Sequence, residues 1–274
     1  MPLTSQMRTT LSKVLPRGTR GLTKCVYVKQ FSIGSSIANT MTNTLVLNAI
    51  EYVKKEMAAN DVSHDWSHIE RVWKTAKTIA VSENIQDVEA VELGALLHDI
   101  ADWKYSGSET AGAEAARKFL ESQNVPAERV YLVRFTSIPS QTLTSLQIVS
   151  IVENVGFKNE LAGKLKVFPE LAAVQDADRL DAIGAVGIAR CFTFGGVRNR
   201  PLHDPNQPPL IGLTKEDYVK VSTSNPPSIN HFYEKLLTLK DKMKTETGKM
   251  MAQKRHEFME QYLAQFLAEW DGKA

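Results

Sequence analysis

Apolar residues recur along this chain at intervals of three and four, the spacing of helices that each bury one stripe. The pattern starts at Thr44. NTLVLNAIEYVKKEMAAN places Leu45, Leu47, Ile50, Tyr52, Val53 and Met57 at mixed three- and four-residue spacings. A second segment, Asp65 to Asn84, lines up Ile69, Val72, Trp73, Ala76, Ile79 and Ala80, with Asp65 placed to cap its start. A third, IQDVEAVELGALLHDIA, opens on acids and continues with Val88, Val91, Leu93, Leu96, Leu97 and Ile100. Shorter helices are expected at Glu109–Ser122, Pro126–Val133 and Leu143–Val155. Pro169 sits where a helix begins, ahead of one long run, ELAAVQDADRLDAIGAVGIARCF. The region from Ser228 to Trp270 reads as two long charged helices broken near Gly248. The best strand signal, VYLVRFTSI, stands alone. The expectation is an all-α helical bundle in one domain.

Two stretches interrupt the periodicity. Phe192–Thr214 contains four prolines and three glycines and reads as one long loop, and loops of that length in compact domains often serve function. Arg134–Ser145 separates what would otherwise be consecutive helices. No internal repeat is present.

Composition narrows the class. Apolar residues at 43% and charged residues at 23% are ordinary for a globular chain, and no apolar run approaches the ~20 residues that span a bilayer. The net charge of +2 conceals an asymmetry. Residues 1–50 hold six bases and no acid, leaving 27 bases against 31 acids in residues 51–274. A mildly acidic body is a poor partner for nucleic acid, whose binding leans on surplus Lys and Arg. Nothing here calls for a membrane. Cys25 and Cys191 make neither a disulfide framework nor a zinc-finger spacing, and a reducing compartment fits. Residues 1–43 are rich in Ser, Thr and Arg and have the composition of an organelle transit peptide, which implies a mitochondrion or chloroplast; as a plain basic tail they leave the chain cytoplasmic. The folded domain is then expected over residues 44–272.

The chain has six histidines: His64, His68, His98, His203, His231 and His256. His98 and Asp99 lie side by side near the end of an apolar helix, where both are costly unless paired or coordinated. A metal cation satisfies both at once. Adjacent helical residues diverge by about 100°, so a shared ion must sit off the helix, where other helices add ligands. His68 shares a face with Arg71 and Val72 and can reach it. A rival His64/His68 pair has zincin spacing, but HDWSH lacks the glutamate that HExxH uses as base. Further ligands are offered by Asp176, Asp178 and Asp181, although acids at a helix start are favoured by the helix dipole alone.

HDWSHIERV, LLHDIADWK and DADRLDAIGAVGIAR, in that order, resemble the HD-domain superfamily of metal-dependent phosphohydrolases, and more narrowly its small single-domain bacterial and plant proteins. The resemblance covers roughly residues 45–270. It implies an all-helical bundle and a ligand set of His68, His98, Asp99 and Asp178. It makes His64-Asp65 a look-alike at the start of a helix. YLVRFTSIPSQTLTS departs from the family pattern and reads as inserted.

Two imidazoles with two carboxylates are harder than a cysteine-rich structural zinc site and suit one divalent ion, Mn²⁺ first, with Mg²⁺, Co²⁺, Fe²⁺ or Ni²⁺ as alternatives. Such an ion lowers the pKa of a coordinated water and polarises a phosphoryl group. No histidine lies between His98 and Asp178, which disfavours the multi-metal variants of the family. Asp99 serves the metal, and Asp102, three residues on, is expected to orient the water or carry a proton. Arg71 and Lys104 are expected at the substrate's phosphate. Arg179 reads as a buttress for its neighbouring aspartates, and Trp66 and Trp103 as core. Arg198, Arg200 and His203 read as a cationic lid over a phosphorylated small molecule, most of all a nucleotide. The competing class is a non-catalytic metal and nucleotide sensor or assembly protein, and a homodimer is compatible with either.

Overall fold

The computed structural model describes residues 44–58, 65–101, 108, 110–125, 145–157, 166–214, 217 and 224–274. These residues form an all-α bundle, with no strand among them. Its helices are α1 (44–56), α2 (Trp66–Ser82), α3 (Val88–Leu97), α4 (Ala111–Ser122), α5 (Ser145–Asn154), α6 (Pro169–Asp181), α7 (Gly184–Val197), α8 (Asn230–Glu234) and α9 (Glu246–Trp270). Single 3₁₀ turns at Leu236–Thr238 and Lys240–Lys242 link α8 to α9. The expected helix at Pro126–Val133, the lone strand signal and most of Arg134–Ser145 fall outside the described residues, as do residues 1–43. No single helix among the described residues is long and apolar enough to cross a membrane.

Local signals explain where helices start and stop. Asp65 caps α2 by accepting from the His68 N–H at 3.3 Å, and Asp87 caps α3 through Ala90 at 2.9 Å. Helices α2, α4 and α7 each end on an asparagine with positive φ: Asn84, Asn124 and Asn199. At each, the next residue donates back into the helix, Ile85 to Ala80 at 2.9 Å, Val125 to Leu120 at 3.1 Å and Arg200 to Gly195 at 2.8 Å. That is the left-handed helix end that asparagine tolerates better than other non-glycine residues.

Two apolar clusters fill the bundle and meet at α3. One gathers Val72, Ile79, Leu171, Leu180, Ile183 and Phe232; the other gathers Val53, Ile69, Leu93, Leu96, Leu120 and Ile148. Each fully buried Leu, Ile or Phe contributes about 1.5–3 kcal/mol through removal from water. Because α2 packs chiefly on α3 and α6, the faces carrying His68, the end of α3 and the DADRLD run are pressed together.

Three expectations about helices are corrected. The single run after Pro169 is two helices bent by 68°, with the break at Ala182–Ile183 and Gly184 at φ +75°. Helix α7 then continues through Phe192 to Val197, so the irregular loop starts six residues later than expected. Gly195 is a close-packing site: a Cβ there would lie 2.1 Å from the Ser228 hydroxyl oxygen. The third correction concerns Gly248, which does not break a helix. It lies in the first turn of the 25-residue α9, where a Cβ would collide with Asp176 at 2.3 Å. The expected first charged helix is instead the short α8 and the two 3₁₀ turns.

Gly94 lets α3 approach α5. A Cβ there would meet Ile151 Cγ2 at 2.8 Å and Cδ1 at 2.9 Å, and a β-branched side chain has no other rotamer within easy reach. Gly94→Ala is expected to cost about 1–3 kcal/mol by overpacking and to lower Tm by several degrees. The double variant with Ile151→Ala should be more stable than the two separate losses add up to; strict additivity in thermal melts would rule the clash out.

Candidate metal centre

His68, in the first turn of α2, is 1% exposed. Its Nδ1 lies 2.7 Å from Asp181 Oδ2. Asp181 is itself clasped by Arg71, through Nε at 2.7 Å and Nη2 at 3.0 Å, and by Arg190 Nη1 at 3.1 Å. Burial works against the Asp181 carboxyl, but the bonds from His68 and Arg71 and the charge of Arg190 hold it far below the usual carboxylate range. It is therefore ionised and can only accept, so His68 Nδ1 carries the proton. The Nε2 lone pair faces the other way. Burial also drives the His68 pKa down to about 4, against the raising effect of Asp181, so the ring is neutral near pH 7.

His98 closes α3 as its C-cap, and Asp99 follows in the turn that ends at Ala101, φ +58°. The pair thus sits just past the helix rather than on it. His98 Nδ1 is 2.7 Å from the Ala95 carbonyl oxygen, which cannot donate, so this nitrogen also carries the proton. The opposite nitrogen, His98 Nε2, is buried and has no hydrogen-bond partner among the described residues. A buried acceptor left in that state costs about 1–3 kcal/mol, and a cation removes the cost.

The two Nε2 atoms and the carboxylates converge. His68 Nε2 lies 3.8 Å from Asp99 Oδ2 and 3.6 Å from Asp178 Oδ1, and His98 Nε2 lies 3.8 Å from the same Asp178 oxygen. These separations are too long for hydrogen bonds. They match ligands of one ion, which at about 2.0–2.2 Å bond lengths sit roughly 2.9–4.3 Å apart. One ligand atom each from His68, His98 and Asp99 fall within 4.8 Å of one another. The imidazoles meet edge to face with centroids 5.4 Å apart. Two imidazoles and nearby carboxylates fit a divalent ion. Burial disfavours the ionised Asp178, but the rings of His98 and His68 and the charges of Lys235 and Arg190 outweigh it and lower its pKa.

The three acids of the DADRLD run have three separate jobs. Asp178 faces the imidazoles, and Asp181 holds His68. Asp176 turns away to α9, accepting from Lys244 N at 2.9 Å, Thr245 N at 2.8 Å and the Thr245 hydroxyl at 2.7 Å. Arg179 donates to the Lys242 carbonyl at 2.7 Å, so it fastens the approach to α9 in addition to lying near Asp176.

The remaining sequence candidates divide. Arg71 is engaged bidentately by Asp181. Asp102, Lys104 and Trp103 lie outside the described residues. Trp66 packs partly buried against the second apolar cluster, with Lys54 Nζ over its ring at 5.2 Å. The described contacts of the loop cations are with other groups than the four candidate ligands. Arg198 and Arg200 flank the Phe194 ring at 5.1 and 5.3 Å, and His203 stands edge-on to Trp270 at 5.2 Å and Phe266 at 6.5 Å. Sequence reasoning missed Asp181 as the partner of His68, and it missed Arg190 and Lys235 altogether. Asp181 had a signal: three residues after Asp178, it shares that side of the helix.

Comparison with known proteins supplies the setting. The HD domain matches residues 65–183. YpgQ of Bacillus subtilis is 32% identical over 218 residues, 78% of this chain and 88% of the relative. A solved structure from Lactobacillus plantarum covers 84% of this chain and 98% of its own at 30% identity, with a TM-score of 0.69. A Bacillus thuringiensis structure described as an HD-superfamily hydrolase covers the same shares at 36% identity and a TM-score of 0.59. YpgQ solved in complex with ADP covers 84% of this chain and 96% of its own, with 30% identity and a TM-score of 0.58. With a relative 32% identical along most of both chains, and the family's domain spanning the segment that carries both imidazoles and all three aspartates, this chain belongs to the HD-domain superfamily.

Proposed function

We propose that this chain is a metal-dependent phosphohydrolase that cleaves a phosphoester or phosphoanhydride bond, with a nucleotide as substrate. The observation that carries the reading is the buried Nε2 of His98, which has no hydrogen-bond partner among the described residues, lies opposite the Nδ1 that meets the Ala95 carbonyl, and faces the same carboxylate as His68 Nε2. His68, His98, Asp99 and Asp178 would hold one divalent ion, with Mn²⁺ the first choice for this donor set. When bound, the ion supplies Lewis-acid polarisation of a phosphoryl group and a lowered pKa for a coordinated water.

The chain's own groups do the rest. Asp181 keeps the His68 proton on Nδ1, so that Nε2 stays available, and the Ala95 carbonyl does the same for His98. Arg71 and Arg190 hold Asp181 ionised. Asp99 is 13% exposed and Asp178 33%, so the cluster opens to solvent along its carboxylates while its imidazoles stay sealed. Asp102 is assigned the proton transfers and Lys104 a phosphate contact, from their places in the HDIADWK run. That the Bacillus subtilis relative has been solved with ADP supports a nucleotide.

Metal analysis comes first. The wild-type protein should hold about one divalent ion per chain and Asp99→Ala close to none. The wild type with Mn²⁺ should turn over members of a phosphate-ester and nucleoside-triphosphate panel, and Asp99→Ala should not. Tight nucleotide binding without turnover would favour a sensor.

Asp181→Asn is expected to weaken metal affinity about 10–100-fold, the usual loss when the hydrogen-bond partner of a ligating histidine is changed. Unchanged affinity in a metal titration would show that His68 needs no such partner. We read residues 1–43 as an import signal, so residues 1–45 fused to a reporter should direct it to mitochondria or chloroplasts; a diffuse cytosolic reporter would sink that reading.

A further inference from the structure

The last turns of α6, which carry Asp178 and Asp181, are bonded on their other sides to α9 and the segment leading into it. Asp176 accepts from Lys244 and Thr245, and Arg179 donates to the Lys242 carbonyl. A third tie comes from within α9, where Arg255 Nη1 donates to the carbonyl of Leu180. Leu180 lies between the two site acids. In a helix that ran on, its carbonyl would accept from the N–H four residues later. The chain turns away at Ala182–Ile183 instead, and Gly184 has φ +75°. The Leu180 carbonyl accepts from the Ile183 N–H at 3.3 Å and from Arg255.

The half-buried Arg255 side chain reaches that carbonyl by lying across the bend. A Cβ on Gly184 would stand 2.9 Å from Arg255 Cγ and 3.0 Å from its Cβ, so the bend is shaped to the stem of this arginine. The neighbouring Asp181 carbonyl receives Arg190 Nη1 at 3.4 Å. Two consecutive carbonyls at the end of α6 thus take one guanidinium each, from α9 and from α7, where the helix dipole favours positive charge. Both site acids depend on this stretch staying in place. Asp181 Oδ2 stands 2.7 Å from His68 Nδ1, and Asp178 Oδ1 stands 3.6 and 3.8 Å from the two imidazole Nε2 atoms. Helix ends fray unless something ties them.

We propose that Arg255 is a positioning residue of the candidate metal centre: by capping the end of α6 across the bend, it holds Asp181 against His68 and Asp178 opposite both imidazoles. The proposal rests on the metal-centre reading of the same site. Arg255 acts through the Leu180 carbonyl and is not a ligand. It also lies beyond the family match, which ends at residue 183, so α9 takes part in a site whose ligands are all on earlier helices. A planar guanidinium suits the task, because a stem laid on Gly184 leaves its donors aimed in one direction.

The test uses the full-length protein with Mn²⁺ as the probe, free Mn²⁺ being followed by electron paramagnetic resonance. Arg255→Met keeps an unbranched stem on Gly184 and removes the donor; it should weaken Mn²⁺ affinity about tenfold, the scale set by groups that orient ligands. Arg255→Lys, which keeps the charge and a donor, should recover most of the loss. Leu263→Ala opens a cavity on the buried face of the same helix and should lower Tm while leaving Mn²⁺ affinity at the wild-type value. That contrast separates positioning from general loss of stability. In the metal-free protein, ¹⁵N NMR of the histidine rings should show the His68 Nδ1–H exchanging with water about tenfold faster in Arg255→Met, and at the wild-type rate in Leu263→Ala. Wild-type Mn²⁺ affinity in Arg255→Met, or an equal loss in Leu263→Ala, would overturn the proposal. Should the wild type hold no Mn²⁺, the metal reading falls, and the His68 exchange rate in Arg255→Met then decides whether Arg255 holds Asp181 in place.

Discussion

The bond between His68 and Asp181 is where the helices, the charges and the chemistry of this protein meet. It joins α2 to α6 at 2.7 Å, and the second and third partners of the same carboxylate, Arg71 and Arg190, bring in α2 again and α7. A carboxylate with side-chain exposure of only 7% is costly to ionise, and the cost is offset only because three donors converge on it. Were the Asp181 side chain removed, the buried Nδ1–H of His68 and the guanidinium of Arg190 would lose this acceptor, and breaking such an arrangement typically costs about 3–5 kcal/mol. The more exposed Arg71 would be partly compensated by water. The same carboxylate also decides the tautomer of His68. Structural stability and readiness to ligate therefore depend on one group, and neither can be altered without the other.

Much of this was legible in the sequence, for definite reasons. Periodicity located α2 and α4 because each buries one stripe, while α3 and α6, buried on nearly every side, were located by their terminal signals and their small and apolar content. His98-Asp99 stood out because two polar residues at the end of GALL need a partner that no hydrophobic helix supplies. The glycines were misread. Gly195, Gly196 and Gly248 look like punctuation, yet Gly195 and Gly248 lie within helices that approach a serine and an aspartate too closely for a Cβ. Propensity measures the cost of a helical glycine, about 1 kcal/mol, and carries no record of what close approach returns. The 68° bend between α6 and α7 went unread because Gly184 alone marks it, with no proline and no capping side chain at Ala182 or Ile183.

The DADRLD run shows how far spacing can go. On a helix advancing about 100° per residue, positions 178 and 181 lie about 60° apart, while position 176 lies about 140–160° from both. That angular division alone separates an acid that caps α9 from two that face α2. It cannot say which of the remaining two meets imidazole Nε2 and which meets Nδ1. Only the packing of α2 against α6 decides this, by setting how far each carboxylate lies from the ring. Arg190 and Lys235 were beyond reach for a related reason: a lone base on a small-residue helix, or in a charged C-terminal stretch, is indistinguishable from a solvated surface group until the fold returns it to the centre.

The HD-domain match ends at residue 183, yet two of the charges acting on Asp178 come from positions 190 and 235. The matched segment contains the candidate ligands and the acid that orients one of them. The groups from α7 and the end of α8 lie outside it and act on the carboxylate that opens to solvent. A bound ion and an incoming phosphate make opposite demands, the first on anionic ligands and the second on nearby cations. The ligand-bearing segment and the short α8 tied to Pro201–Leu210 thus belong to separate stretches of one chain, the first within the family match and the second beyond it.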